Sequence, residues 1–412
     1  MTAAAGVPAP RLGIRANWRQ FALLVAINAF VGAMVGLERS VLPTLAKREF
    51  AVTSAAVALT FLVAFGVVKA GSNLAAGTLA DRVGRKRLLV LGWLAALPVP
   101  FLLWFAGSWS WIVAANVFLG VNQGLAWSMT VVMKVDLAGP ARRGLALGLN
   151  ESFGYGAVAL AAFGSAQLAV GHGPRAVAAL LGLLVACGGL LLSAVFVRDT
   201  ARHVETEIGA DARPLVRPRQ VLRQVTFSDP SLSAASQAGL INNLNDALAW
   251  GLMPIFLASR GLSIEHIGVV AAVYPAAWAV CQVGFGALSD RVGRKRPIVA
   301  GMWVQAAAIA LFPVVGSYGG WIMAALMMGI GTALVYPTLL AVVGDVAAAT
   351  WRASAIGAYR LWRDLGYAIG GLMAGALADV AGMRTAFFGV AILTALSGAI
   401  VAGRMEEPVG KP

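Results

Sequence analysis

Long apolar runs alternate with short polar breaks along this chain. Twelve runs are long enough to cross a bilayer, at about 19–45, 54–78, 88–106, 109–134, 144–168, 175–197, 234–258, 264–287, 297–316, 319–343, 353–377 and 383–403. A spanning helix needs about 20 apolar residues, so each run predicts one. The long polar stretch 198–233 divides the runs into six and six. It holds Arg198, Arg202, Arg213, Arg217, Arg219 and Arg223 with Pro214 and Pro218, and reads as a solvated tether. Its part 220–227 is a candidate short surface helix. The predicted organisation is a tail over 1–18, a six-helix bundle over 19–197, a linker over 198–233, a second bundle over 234–403 and a tail over 404–412. The fold class is an all-α membrane protein with 12 transmembrane helices in two pseudo-symmetric six-helix bundles. The first 18 residues contain Pro8, Pro10, Arg11 and Arg15 and lack the apolar core of a cleavable signal.

Composition narrows the function. Apolar and aromatic residues make up 59% of the 412 and charged residues 12%. Soluble domains carry about 45–50% and about 25%, which excludes a soluble enzyme, a disordered chain and a disulfide scaffold. The net charge of +14 invites a nucleic-acid reading. The distribution of that charge argues otherwise. Of 32 Lys and Arg, 22 lie in the tails, the linker and the loops after runs 2, 4, 8 and 10, against five in the other loops. This asymmetry predicts both termini in the cytoplasm of a cell inner membrane, and no nucleic-acid partner. Cys187 and Cys281 lie in apolar runs, and His172, His203 and His266 in loops. No metal, cofactor or enzyme motif is expected from them. The expected partners are the lipid bilayer, protons and a small-molecule substrate, bound by a monomer.

The halves repeat each other. G-T-L-A-D-R-V-G-R-K-R at 77–87 recurs as G-A-L-S-D-R-V-G-R-K-R at 286–296, with nine of eleven positions identical. The same offset of 209 pairs Asp136 and Arg143 with Asp345 and Arg352, and Trp127 with Tyr336. Offsets of 208 and 212 pair Glu38 with Asp246, and Gly154-Tyr155 with Gly366-Tyr367. Six spans per half make the repeat parallel, about an axis along the membrane normal. Asp136 and Asp345 are candidate partners for Arg82 or Arg85 and for Arg291 or Arg294. Such ion pairs would break when the halves rock.

The doubled loop is similar to the signature loop of the major facilitator superfamily, and six plus six spans with a basic linker match it over nearly the whole chain. The resemblance implies secondary transport by alternating access, with a substrate cavity between the halves near the bilayer midplane. It maps the gate onto Asp81, Arg82, Gly84 and Arg85, and onto Asp290, Arg291, Gly293 and Arg294. Span 5 departs from the drug:proton antiporter pattern. Residues 149–156 have glycines but no Gly-Pro pair.

Charges inside spans need a reason, because each costs a few kcal/mol unless paired or hydrated. Glu38, Glu151, Asp246 and Asp364 balance Arg39, Lys69, Arg360 and Arg363, which predicts ion pairs around an aqueous cavity. Asp246 is near the middle of span 7, and Asn242 shares its face. It is the first candidate for proton coupling, ahead of Glu38 and Glu151. Arg360 and Asp364 are four apart and can pair, leaving Arg363 the freer cation. Asn116, Gln123 and Thr130 form a polar stripe on span 4. The candidate substrate contacts are Lys69, Asn122, Gln123, Trp127, Asn242, Tyr274, Gln282, Tyr336, Arg360, Arg363 and Asp364. The leading expectation is proton-coupled export of a small organic molecule. The alternative is uptake of an anionic metabolite with protons, and a transporter-like sensor comes third.

Overall fold

The computed structural model describes residues 12–39, 42–138, 143–208, 218–347 and 351–407. Among these the chain is almost entirely helical and forms no strand. Eight of the twelve spans are continuous. Span 1 is Trp18–Arg39, span 5 Arg143–His172, span 6 Pro174–Val195 and span 8 Ile264–Val292. Span 9 is Lys295–Leu311, span 10 Tyr318–Val346, span 11 Arg352–Ala381 and span 12 Met383–Arg404. The other four are compound. Span 2 joins Ala55–Ala58 to Thr60–Val83. Span 3 joins Arg85–Ala96 to Pro98–Trp104, where Pro98 lacks the N–H that would continue the ladder. Span 4 holds a π-helical turn, Gln123–Trp127, between Trp109–Asn122 and Ser128–Ala138. Span 7 holds another, Leu248–Leu252, between Pro230–Ala247 and Met253–Ser259.

Among the described residues, nine spans are long and apolar enough to cross a membrane on those grounds alone. Spans 7, 9 and 11 fall short for identifiable reasons. Span 7 carries Asn242, Asn243, Asn245 and Asp246, span 9 has 17 residues, and span 11 carries Arg360, Arg363 and Asp364.

Spans 1–6 and 7–12 pack as two bundles, which meet where span 2 lies on span 11 and span 5 on span 8. Within lipid, polar helix faces must find partners on neighbouring helices. Asn116 Nδ2 donates to Glu38 Oε2 at 2.9 Å and Gln123 Nε2 to Val31 O at 2.9 Å. Thr130 Oγ1 donates to Asn28 Oδ1 at 2.9 Å and Lys134 Nζ to Leu24 O at 3.2 Å. All four acceptors are on span 1, so the polar stripe of span 4 is a seam inside the first half. The second half has its counterpart. Asn245 Nδ2 donates to Gln305 Oε1 at 2.9 Å, and Gln305 Nε2 to Asn242 Oδ1 at 3.0 Å.

The linker differs from a tether. Residues Ala201–Ile208 and Pro218–Arg223 are helical, and Gln224–Ser228 form a π turn leading to span 7. Val221 and Val225, four apart, share one face and are buried against the second half. Trp362 Nε1 donates to Thr226 Oγ1 at 2.9 Å and ties this segment to span 11.

Each half ends on an acid that reaches back to its own doubled loop. Lys86 N donates to Asp199 Oδ2 at 2.8 Å, while Arg294 N and Lys295 N donate to Glu407 at 2.6 and 3.1 Å. These two acids are 208 residues apart, an offset of the internal repeat. The loop glycines make the contact possible. Gly84 and Gly293 have φ of +94° and +88°, where a Cβ would be strained. A methyl at Gly84 would lie 3.3 Å from Asp199 Oδ2, and one at Gly293 2.7 Å from Glu407. Both loops therefore lie on the face that carries the linker.

Candidate functional site

The two seams between the halves are tight at the face opposite the linker. Asp379, at the end of span 11, accepts from Ser54 Oγ at 2.5 Å, Ala55 N at 2.6 Å and Ala56 N at 3.0 Å at the start of span 2. On the other seam Gln167 Nε2 donates to Glu265 O at 3.2 Å. Contact continues inward to Asn73–Asp364 on one side and to Gln282 Nε2–Ser152 Oγ, at 3.2 Å, on the other. One or two turns further toward the linker face lie Gly77 and Gly357, and Gly148 and Gly286. A methyl group on any of these four would meet nothing within 4 Å. Contacts between the halves therefore run from the far face to mid-span, and these four glycines toward the linker face meet none.

Where the seams end, charged and aromatic side chains from both halves converge. Asp364 Oδ1 lies 3.7 Å from Lys69 Nζ of the other half and accepts from Arg363 Nη1 at 3.2 Å and Asn243 Nδ2 at 3.3 Å. Its Oδ2 accepts from Asn73, whose own oxygen takes a bond from Ser128 Oγ at 2.6 Å. Arg363 Nη2 donates to Tyr155 OH at 3.2 Å across the seam, and its guanidinium stands 4.1 Å over Tyr336. Glu151 Oε1 accepts from Trp127 Nε1 at 3.2 Å and Asn150 Nδ2 at 2.9 Å, with Arg360 Nη2 at 3.9 Å. Lys69 Nζ lies among three rings, 5.2 Å from Tyr367, 5.4 Å from Phe65 and 5.8 Å from Trp127. Tyr155 and Trp278 stack with centroids 3.5 Å apart. One layer deeper in the second half, Asp246 accepts from Tyr274 OH and, at 3.2 Å, from Tyr367 OH. The hydroxyls of Tyr274 and Thr332 are 3.2 Å apart.

The backbone explains some of these placements. The π turns each insert an extra residue, which re-aims the side chains beyond it. The one in span 4 ends at Trp127, which bonds Glu151. The one in span 7 comes just after Asp246 and carries Trp250, which stacks on Tyr367 with centroids 5.8 Å apart. Gly66 lets span 11 approach, since a methyl there would lie 2.6 Å from Tyr367 Cβ.

Several sequence expectations are redirected. The charges do not line an open cavity here. Lys69, Glu151, Arg363 and Asp364 are all at least nine-tenths buried and contact one another's partners directly. Arg360 turns to Glu151 rather than pairing with Asp364, because Lys69 and Arg363 already flank that carboxylate. Arg363 is correspondingly engaged rather than free. Asn122, Gln123 and Asn242 bond within their own halves, to Gly92 O, Val31 O and Gln305 Nε2. Glu38 likewise sits in the span 1–span 4 seam. Tyr274 supports Asp246, and Gln282 stands at the seam with span 5. Lys134, placed at the foot of span 4, is fully buried beside span 1, so the charge balance drawn from sequence omits one interior cation. Tyr155 and Trp278 form the centre of the site and were absent from the expected contacts. The offset pairing Tyr155 with Tyr367 was the available signal for the first. The second stands in the sequence only as one of several span aromatics, with Trp250 and Trp362, able to line a cavity.

At the linker face Arg85 Nε lies 3.0 Å from Asp136 Oδ2, and Arg294 Nε lies 3.0 Å from Asp345 Oδ2. Thr200 Oγ1 adds a bond to Asp136 at 2.6 Å. Arg291 is exposed. The side chains of Arg39, Asp81, Arg82, Arg143, Asp290 and Arg352 lie outside the described residues. Two surface clefts, of about 570 and 720 Å³, lie away from the charged cluster, beside Arg260 and Arg384 and beside Arg19 and Arg198.

Comparison with known proteins gives one consistent result. The family model described as Major Facilitator Superfamily matches residues 21–241 and 235–412. An MFS-type transporter of Salmonella typhimurium is 24% identical over 79% of this chain and 81% of its own length. A Cupriavidus pinatubonensis protein named "probable 4-methylmuconolactone transporter" is 27% identical over 60% of this chain and 58% of its own. The match to an MFS-type transporter of Methanocaldococcus jannaschii, 27% identical, spans 38% of this chain and 41% of that protein. Among solved structures, a POT family transporter superposes with a TM-score of 0.75 at 13% identity, over 93% of this chain and 96% of that one. The human organic anion transporter TETRAN does so with a TM-score of 0.68 at 18% identity, over 93% and 99%. The doubled loop, the paired bundles and the family match together place this chain in the Major Facilitator Superfamily, as a membrane-embedded secondary transporter.

Proposed function

We propose that this chain carries a small organic anion across the cell inner membrane by alternating access, together with protons. One observation carries the reading. Three cations, Lys69, Arg360 and Arg363, face two acids, Glu151 and Asp364, where the halves meet. Among the described residues, Arg363 Nε and Trp278 Nε1 are buried donors without an acceptor. Unpartnered buried donors are costly, and a bound carboxylate relieves that cost. Trp127, Tyr155, Trp278 and Tyr336 supply flat walls for an organic body. The relatives' names, a muconolactone transporter and an organic anion transporter, agree with cargo of this kind.

Asp246 is the proposed proton carrier, and Tyr367 links it to the anion site. The Tyr367 hydroxyl bonds Asp246 while its ring lies 5.2 Å from Lys69 Nζ. Protonating Asp246 removes a negative charge near the cations and so strengthens their hold on an anion. The coupling is reciprocal, so proton and anion favour the same state. This sign favours co-transport, the uptake alternative, over the export by exchange that sequence placed first. With the linker face in the cytoplasm, the present conformation opens inward, and the Arg85–Asp136 and Arg294–Asp345 pairs serve as parts of the inner gate.

The test uses proteoliposomes enclosing a pH-sensitive dye, challenged with a panel of small carboxylates. At least one carboxylate should drive inward proton movement. Arg363→Ala and Lys69→Ala should abolish its binding, and Asp246→Asn should keep binding but remove the proton signal. Carboxylate binding untouched by both cation variants sinks the anion reading. Protons moving against the carboxylate sink co-transport.

A further inference from the structure

The cleft of about 720 Å³ lies on the first half, at the linker face, between the starts of spans 1 and 3 and the end of span 6. Its base is fixed. Gln20 Nε2 donates to Phe196 O at 2.9 Å, and Gln20 Oε1 accepts from Arg198 N at 3.0 Å. Its rim is basic, with Arg19, Lys86 and Arg198, none of which forms an ion pair among the described residues. The one acid there, Asp199, already accepts from Lys86 N at 2.8 Å and Ala201 N at 2.9 Å. Its walls are apolar, from Leu23, Leu192 and Val195. Trp18 and Phe196 beside it are 60% and 55% exposed, and the Arg19 guanidinium lies 5.6 Å from the Trp18 ring. Exposed aromatics with arginine at a span end mark the depth of lipid headgroups.

We propose that this cleft binds the phosphodiester headgroup of an anionic phospholipid, with the acyl chains lying along Leu23, Leu192 and Val195. Charge complementarity at the rim is joined here to an apolar wall. Three cations against one acid leave a net positive rim that suits a phosphate, and the wall leads toward the hydrocarbon. A zwitterionic headgroup brings its own cation into a basic rim and is disfavoured. Free phosphate shares the headgroup chemistry but gains nothing from the wall.

The experiment counts lipids retained by the full chain, using native mass spectrometry from phosphatidylcholine nanodiscs doped with phosphatidylglycerol. The wild type should retain phosphatidylglycerol preferentially. The double substitution Arg19→Gln and Arg198→Gln should lower that preference by about fivefold for each charge removed. Arg19→Lys with Arg198→Lys should preserve it, which separates charge from folding. Both residues are exposed, so melting in pure phosphatidylcholine should be unchanged in either variant. Undiminished retention in the glutamine variant overturns the proposal. Displacement of the lipid by millimolar inorganic phosphate overturns the headgroup assignment in favour of a free-anion site.

Discussion

Gly84 and Gly293 show how much a single residue type does in the doubled loop. Each adopts a positive φ with ψ of 142° and 169°, a region nearly closed to other residues. Each also stands against a carboxylate that closes its own half. Alanine at either position should lower stability by about 1–3 kcal/mol from backbone strain. The loss should be greater at Gly293, where the new methyl would lie 2.7 Å from Glu407 rather than 3.3 Å from Asp199. Thermal melting in detergent checks both the size and the order. Equal losses at the two positions would show that the tail carboxylate simply moves aside, and unchanged melting of both variants would refute the strain.

Two predictions belong to whole elements. Asp379 of span 11 caps the start of span 2 with three hydrogen bonds from the opposite half. Losing a cap of this kind costs about 0.5–2 kcal/mol. Asp379→Ala should therefore shift the population by up to about thirtyfold toward a state open at the far face. Spin labels at Val57→Cys and Val380→Cys, with Cys187 and Cys281 replaced by serine, read that opening as a longer distance. An unchanged distance distribution would rule out a latch. The helix Ala201–Ile208 carries the second prediction. Burial, helped by the neighbouring Arg202, lowers the His203 imidazole below its ordinary value. Its Nε2 lies 3.4 Å from Asn17 Oδ1. The undocked helix then binds a proton more readily than the docked one, so docking is complete above about pH 6.5 and weakens as pH falls below it. Hydrogen exchange over Ala201–Ile208, corrected for intrinsic rates, should quicken between pH 7.5 and 5.5 in the wild type. His203→Gln should flatten the dependence, and a flat wild-type profile would refute it.

At the scale of the molecule, the duplicated loop and the offsets made the architecture legible. Apolar runs fix helices, and an identical turn repeated at 209 residues fixes two copies of one bundle. The site was legible only in part. Lys69, Arg363, Asp364 and Trp127 could be named because a charge or polar aromatic inside a span needs a partner. Their pairings could not, since periodicity reports which helix face is polar and not what lies opposite. Gln123 shows the difference. Its stripe looked like a cavity wall and is a seam with span 1. Asp199 and Glu407 were within reach at the repeat offset, but one lay in a supposed tether and the other in a tail. Asp379 lies 325 residues from Ser54, and no local pattern announces that meeting.

The back-reaching acids have a consequence for assembly. Asp199 closes the first copy and Glu407 the second, so neither depends on the other to finish its own loop. Two separately translated polypeptides, divided within 209–217, should therefore each insert, find one another in the membrane and co-purify with restored transport. Moving the cut upstream of Asp199 strips the first fragment of its clasp and should abolish that recovery.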